Sequence, residues 1–338
     1  MHPELFRIPF TTLTVKSYGL MMVIGFLVAV YVIRRLSRNI TPDPQMITNA
    51  SLYSLIAGVV GSRIFFVVHH FNLFKGDLLN MFAIWQGGLE LLGGVIGSLV
   101  VLIFYMRYHK LPVRRYLDIL AIGLMLALAF GRIGCFLNGC CFGKPTDLPW
   151  AVRFPYGSHP YISQAEPDTA RNRPVPQNVL PEDFFGYFDN KGVWRQELKP
   201  YNQLSPHQKE IVAKRPYRCL PVHPAQLYSS ANAAIIALVL FLFWRRSQFD
   251  AAGKLFTRPG STFALMFMLY GLTRFFLEIV RDDNPFEYGW WTVYKGGTIS
   301  QNLSIYMLIL GAVLMLVFQK MRSENLPRRF SPNNSQKL

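Results

Sequence analysis

Charge is scarce in this sequence of 338 residues: Asp, Glu, Lys and Arg make up 16% of it, against 51% for hydrophobic residues, and mean hydropathy is positive. That balance excludes an ordinary soluble enzyme. Cysteine is limited to four residues, with no C-x-x-C pair and no histidine cluster, so spacing gives a metal site no support. Positive charge is also sparse where a secretory signal would need it. Only Lys16 stands immediately before the first apolar run, and Arg34, Arg35 and Arg38 follow it, which reads as a retained membrane helix rather than a cleaved signal peptide.

Long apolar runs, by contrast, recur. Seven lie at about 17–33, 47–69, 87–106, 116–137, 224–244, 261–280 and 300–319, each near the roughly 20 residues a helix needs to cross a bilayer. The fold class expected is an all-α polytopic membrane protein with seven transmembrane helices. The formal charge of +16 could attract a phosphate backbone. The basic residues instead gather at alternate helix ends: Arg34, Arg35 and Arg38; Arg107, Lys110, Arg114 and Arg115; Arg245, Arg246, Lys254 and Arg258; Lys320, Arg322, Arg328 and Arg329. By the positive-inside rule these segments are cytoplasmic, which puts the N-terminus outside and the C-terminus inside. Nucleic acid is not an expected partner.

Residues 144–222 do not belong to the bilayer. They hold 12 of the 22 prolines and the polar runs PDTARNRPVPQN and KPYNQLSPHQKE. Proline at that density excludes long helices, while Trp150, Phe154, Phe184, Phe185, Tyr187, Phe188 and Trp194 supply material for a small core, which disordered segments seldom have. The expectation is a small extracytoplasmic cap of short helices or strands. The chain is thus divided into helices 1–4 (1–143), the cap (144–222), helices 5–7 (223–322) and a basic cytoplasmic tail (323–338).

The informative residues are charges inside the spans. Arg63, Arg132 and Arg274 fall in the second, fourth and sixth runs, each about 5–11 residues before the outer end, so at 1.5 Å per residue they share the outer half. An arginine at a helix centre costs about 2.5–3.5 kcal/mol on insertion scales. Snorkelling toward headgroups accounts for single cases; three together point to a cavity, and guanidinium is the natural fork for phosphate. The ligand suggested is a phospholipid headgroup. Tyr270, Arg274 and Glu278 are spaced by four and share a helical face, so Glu278 can pair with Arg274. Asn138 adds an amide near Arg132, while Gly131, Gly134 and Gly139 permit close backbone approach. Asp118 reads as a contact at the other end of the same helix. In WQGGLELLGGVIG the glycines at 87–88 and 93–94 imply tight packing or a broken helix start, and Glu90 between them is either a solvated carboxylate or a base.

GRIGCFLNGCCFG (131–143) resembles the signature of the prolipoprotein diacylglyceryl transferases, as do SYGLMMVIGF, GSRIFF, WQGGLELLGGVIG, HPAQLY, YGLTRFFLEIVRDD and QNLSI, in order along nearly every span. The resemblance implies a multi-pass enzyme of the bacterial cytoplasmic (inner) membrane with its site toward the outer face. The lipobox cysteine thiol of a prolipoprotein signal peptide attacks the terminal glyceryl carbon of phosphatidylglycerol, giving a thioether and glycerol phosphate. No cofactor is implied. By motif position Arg132 contacts the headgroup and Arg274 stabilises phosphate charge; Tyr18, Asn138, Tyr270 and Glu278 orient groups around it. Gly143 shapes the turn into the cap, and His223 and Gln226, at the outer mouth, line the site or hold the helix entry.

This sequence departs from the family at several positions. Leu92 stands where members often carry histidine or tyrosine, Cys135 where they carry asparagine, and Cys140 and Ser229 where glutamate is common. Leucine cannot move a proton, so Glu90 or His223 is the available substitute base. A divergent paralogue that binds, carries or differently transfers phospholipid is the alternative; G-x-R-like pieces in three spans hint at transporter-like repetition, but no polar trail crosses to the cytoplasm. Cys135, Cys140, Cys141 and Cys219 all lie at or near the outer side, where Cys219 can bond Cys140 or Cys141; unpaired, small apolar cysteines are the other reading.

Overall fold

A computed structural model of the chain describes residues 4–7, 14–40, 43–74, 78–83, 88, 90–189, 192–214, 217–249, 256–286 and 288–321. Gly87, Lys254, Arg322, Arg328, Arg329 and the expected tail at 323–338 lie outside the described residues. In chain order the elements are β1 (Glu4–Arg7) and β2 (Thr14–Lys16), an antiparallel pair, then α1 (Ser17–Ser37), α2 (Gln45–His69), α3 (Leu91–Tyr108) and α4 (Val113–Asn138). There follow α5 (His159–Ala165), the antiparallel pair β3 (Phe185–Phe188) and β4 (Trp194–Leu198), and α6 (Pro206–Ala213). The chain continues through α7 (Ala225–Phe249), α8 (Ser261–Leu277) with a 3-10 turn over Glu278–Val280, and α9 (Ile299–Lys320).

The protein is a polytopic membrane protein. Among the described residues six helices are long and apolar enough to cross a membrane, α1, α2, α4, α7, α8 and α9, and α3 is a shorter apolar helix. The third run is helical only from Leu91, later than its hydropathy suggested, because Gly88 takes φ +71° and Glu90 is extended at φ −96°, ψ 126°.

The chain divides into two compact units, one of Met1–Leu27, Leu124–Leu240 and Ala264–Leu314, the other of Val28–Gly123, Phe241–Phe263 and Met315–Leu338. In the second, α2 and α3 meet backbone to backbone. A Cβ on Gly93 would stand 2.4 Å from Gly61 O, and one on Gly97 would stand 2.6 Å from Ala57 O. Only hydrogen fits there, which is how glycine seams hold membrane helices together. The same unit explains Asp118. Its carboxylate accepts from Gly260 N (2.8 Å) and Phe263 N (2.9 Å) at the start of α8, satisfying amides that a helix N-terminus leaves without partners.

In the first unit, residues 142–222 fold around Phe142, Phe154, Tyr161, Phe184, Leu198 and Val222. Tyr161 donates its hydroxyl to Tyr217 O (2.7 Å), and Gln164 Oε1 accepts from Leu220 N (2.8 Å), so these two polar side chains are satisfied inside the small core. Of the aromatics expected inside, Phe154 and Phe184 are buried, whereas Trp150, Phe188 and Trp194 are exposed. Tyr161 fills the core instead, and Trp150 is held at the surface by donating to Tyr228 Oη (2.7 Å). All four cysteines are free. Cys219 is buried in this core with its thiol directed at Gln164 Oε1 (3.3 Å), so it bonds neither Cys140 nor Cys141.

Asp118→Ala strands two helix-start amides and is expected to cost about 1–3 kcal/mol, read as a lowered melting midpoint of the detergent-solubilised protein. Asp118→Asn, which keeps one acceptor oxygen, should lose less. An Ala variant that melts with the wild type would refute the capping role.

Candidate functional site

Three chain segments cross where α4 ends. Gly143 N donates to His223 O (3.1 Å), His223 N to Lys144 O (3.0 Å), Lys144 N to Val280 O (2.8 Å) and Asp282 N to Phe142 O (3.1 Å). The stretch after α4 is therefore held between the residues that precede α7 and those that follow α8. Gly143 sits at the crossing: a Cβ there would lie 2.6 Å from His223 Cβ and O and 2.9 Å from Val280 O. Gln226, fully buried at the start of α7, donates to Cys140 O (2.8 Å) and fixes the turn just before it.

The crossing brings α8's charges to a defined place. Glu278 is 3% exposed. Arg274 Nη1 stands 2.6 Å from its Oε2, off the hydrogen-bond direction, and Arg281 Nε stands 3.8 Å from the same oxygen. Thr298 Oγ1 (3.0 Å) and Asn284 Nδ2 donate to the other oxygen. Arg274 Nη2 donates to Ser300 Oγ (2.9 Å). Thr298 and Gln301 also form a reciprocal cap on α9, Thr298 N donating to Gln301 Oε1 (3.0 Å) and Gln301 N to Thr298 Oγ1 (3.3 Å). The buried carboxylate thus joins the end of α8 to the start of α9, and it has the partners a buried charge requires. Beside it lies a cavity of about 190 Å³ lined by Lys144, Arg171, Glu278, Arg281, Tyr294 and Gln301.

Arg132 is different. Among the described residues it makes no hydrogen bond and no ion pair; the groups that act on it most strongly are Tyr270, Cys141, Arg281 and Cys135, and Arg274 also feels its charge. Tyr18, whose ring packs on Gly134, also faces Arg132 and the three thiols of Cys135, Cys140 and Cys141. Asn138 closes α4 with its amide toward Cys140. His223 Nδ1 lies 3.4 Å from Tyr228 Oη, and burial pushes the His223 pKa down, so the ring is neutral near pH 7.

Of the residues expected in the site, Tyr18, Arg132, Asn138, Gly143, His223, Gln226, Tyr270, Arg274 and Glu278 belong to one compact unit, and Arg63 and Glu90 to the other. Arg63, expected to bind phosphate, has its guanidinium engaged by the protein: Nε, Nη1 and Nη2 donate to Met81 O (2.8 Å), Gly88 O (3.0 Å) and Asn80 O (2.6 Å), and Phe66 and Phe74 flank it. Glu90 pairs with His69 Nδ1 at 2.7 Å rather than standing as a lone solvated carboxylate. Sequence reading missed Arg281, Asn284, Thr298 and Ser300. Arg281 was detectable three residues after Glu278; the others lie in a loop and a cap whose approach to α8 no spacing announces. The cap segment is anchored by Asp282, which pairs with Arg173 (3.1 Å) and Arg171 (3.4 Å). Its pKa is raised by burial, against the opposing pull of these two guanidiniums.

The family model of prolipoprotein diacylglyceryl transferase matches residues 3–317. A protein of Rhodopirellula baltica is 27% identical over 91% of this chain and 73% of its own, one of Aeromonas hydrophila 27% over 91% and 88%, and one of Prochlorococcus marinus 24% over 93% and 91%. Each carries the name phosphatidylglycerol–prolipoprotein diacylglyceryl transferase.

Glu278→Ala leaves Arg274 and Arg281 without their shared buried carboxylate and is expected to destabilise the protein by about 3–5 kcal/mol. Glu278→Gln, which keeps an acceptor for Thr298, should be milder. Thermal unfolding in detergent reads the difference; equal midpoints for wild type and Ala variant would contradict the pairing.

Proposed function

The chain belongs to the prolipoprotein diacylglyceryl transferase family, and on that premise we propose that it transfers the diacylglyceryl group of phosphatidylglycerol to the lipobox cysteine thiol of prolipoproteins, forming a thioether and releasing glycerol phosphate. The observation that carries this reading is Arg132, a guanidinium near the end of an apolar helix with no protein carboxylate to neutralise it among the described residues. A charge so placed usually faces a cavity or a partner, and a phosphodiester is the anion its planar fork fits.

In this reading Arg132 binds the headgroup phosphate and holds the charge that grows on it as the glyceryl carbon–oxygen bond breaks. Arg274, fixed by Glu278 and Ser300, adds positive potential without moving. Tyr18, Asn138 and Tyr270 orient the headgroup. His223, neutral at the mouth, is a base in the right protonation state to take the thiol proton. Gln226 and Gly143 hold the turn that sets Arg132 relative to α8.

The topology proposed is seven membrane segments, with α3 the short one, the N-terminus outside and the C-terminus in the cytoplasm. Residues 144–222 then form an extracytoplasmic cap over a site that opens to the outer face of a bacterial inner membrane. A paralogue that only binds or carries phospholipid is the second reading, favoured by Leu92, which is exposed and has no proton to move.

The test is transfer of labelled diacylglyceryl from phosphatidylglycerol to a lipobox peptide by the purified protein. Wild type should transfer, and Arg132→Ala should be slower by about 10²–10³-fold, the loss expected for removing one preorganised donor to a developing oxyanion. Folded wild-type protein that retains phosphatidylglycerol and transfers nothing would leave the carrier reading.

A further inference from the structure

Among the described residues, one chemistry-bearing cluster left unassigned is sulfur. Cys135, in the last turns of α4, and Cys140 and Cys141, in the turn after it, bring their three Sγ atoms within 4.8 Å of one another. No periodicity would do this, because Cys140 and Cys141 follow the helix end. The backbone reverses there through Gly139 (φ +80°) and Cys141 (φ +60°), the second a left-handed conformation that a residue with a Cβ adopts only against steric resistance. Gln226 clamps the Cys140 carbonyl from α7, and Cys140 Sγ lies 3.8 Å from Cys135 O. None of the three is in a disulfide. The cluster is built by the fold.

Three sulfurs around a tetrahedral zinc, at about 2.3 Å each, stand roughly 3.8 Å apart, so the observed spacing needs little contraction. Charge also fits. Three thiolates alone would repel, but with Zn²⁺ they carry a net −1, and Arg132 and Arg281 face Cys141. Three protein ligands leave one position open, the pattern of catalytic rather than structural zinc sites.

We propose that Cys135, Cys140 and Cys141 form a three-thiolate Zn²⁺ site whose open position takes the thiol of the lipobox cysteine. The inference rests on the transferase reading above and supplies what Leu92 does not. Coordination to zinc deprotonates a thiol, and the proton passes through water to His223, the base named above. The bound sulfur then forms a bond to the terminal glyceryl carbon as that carbon's bond to the phosphate oxygen breaks. The bonding pair leaves with the phosphate, giving glycerol phosphate beside Arg132. The product thioether carries no charge, binds zinc weakly and departs. Nothing is oxidised or reduced.

The test uses the full chain in detergent with phosphatidylglycerol, its thiols kept reduced, and Zn²⁺ or Co²⁺ as the probe. Wild type and Cys219→Ala should retain one metal ion per chain after desalting. Cys135→Ala, Cys140→Ala and Cys141→Ala should each lose affinity by at least about tenfold, with melting midpoints reporting that they remain folded. The Co²⁺ form should show thiolate-to-metal charge transfer that grows with a lipobox peptide and not with its Cys→Ser counterpart. A folded, reduced wild type that holds no metal, or a Co²⁺ spectrum indifferent to the peptide thiol, overturns the proposal. Wild-type transfer by chelator-stripped enzyme overturns it too, leaving the transferase reading intact. Metal that binds and senses the peptide thiol without any transfer sinks the transferase reading and leaves the site standing.

Discussion

The crossing of three backbones at Gly143 is the constraint on which the rest of the site depends. One hydrogen at that Cα lets the residues after α4 lie against both His223 and Val280. From this contact follow the direction in which the chain enters α7, the position of Arg281 and Asp282 after α8, and the depth at which Arg132 and the thiol turn end. Glycine is present there because no other residue lets three chains approach so closely, and the hydrogen bonds among them satisfy amides that would otherwise lie unpaired at a membrane interface.

Charge is distributed unequally around this crossing. Arg274 has Glu278 and Ser300, Arg281 has the Asp283 carboxylate in two-pronged contact (2.9 and 2.7 Å), and Arg171 and Arg173 have Asp282. Arg63, equally arresting in the sequence, gives its donors to carbonyls. Arg132 alone of the three span arginines lacks such a partner among the described residues. In a medium of low dielectric that asymmetry is costly unless an anion from outside completes it, and the headgroup of an anionic lipid is the anion a membrane provides.

Much of the fold was legible in the sequence because hydropathy over some 20 residues is a strong signal. α4, α8 and α9 begin and end within a few residues of their apolar runs. The start of α3 was misplaced because hydropathy does not register the positive φ of Gly88. The Arg274–Glu278 pair could be read from its spacing of four. The Arg63 ties could not, since they depend on carbonyls 17 to 25 residues away. Nor could the meeting of Cys135 with Cys140 and Cys141, which depends on a left-handed turn that the sequence motif does not encode in any periodicity. Short-range patterns were visible, and contacts made by turns were not.

The most direct test of the account is to see where the lipid phosphate sits. A cryo-electron-microscopy structure of the full chain in phosphatidylglycerol nanodiscs should place headgroup phosphate within hydrogen-bond distance of the Arg132 guanidinium, with Arg274 still paired to Glu278. A headgroup bound away from Arg132, with that guanidinium in solvent or on a protein carboxylate, would contradict it.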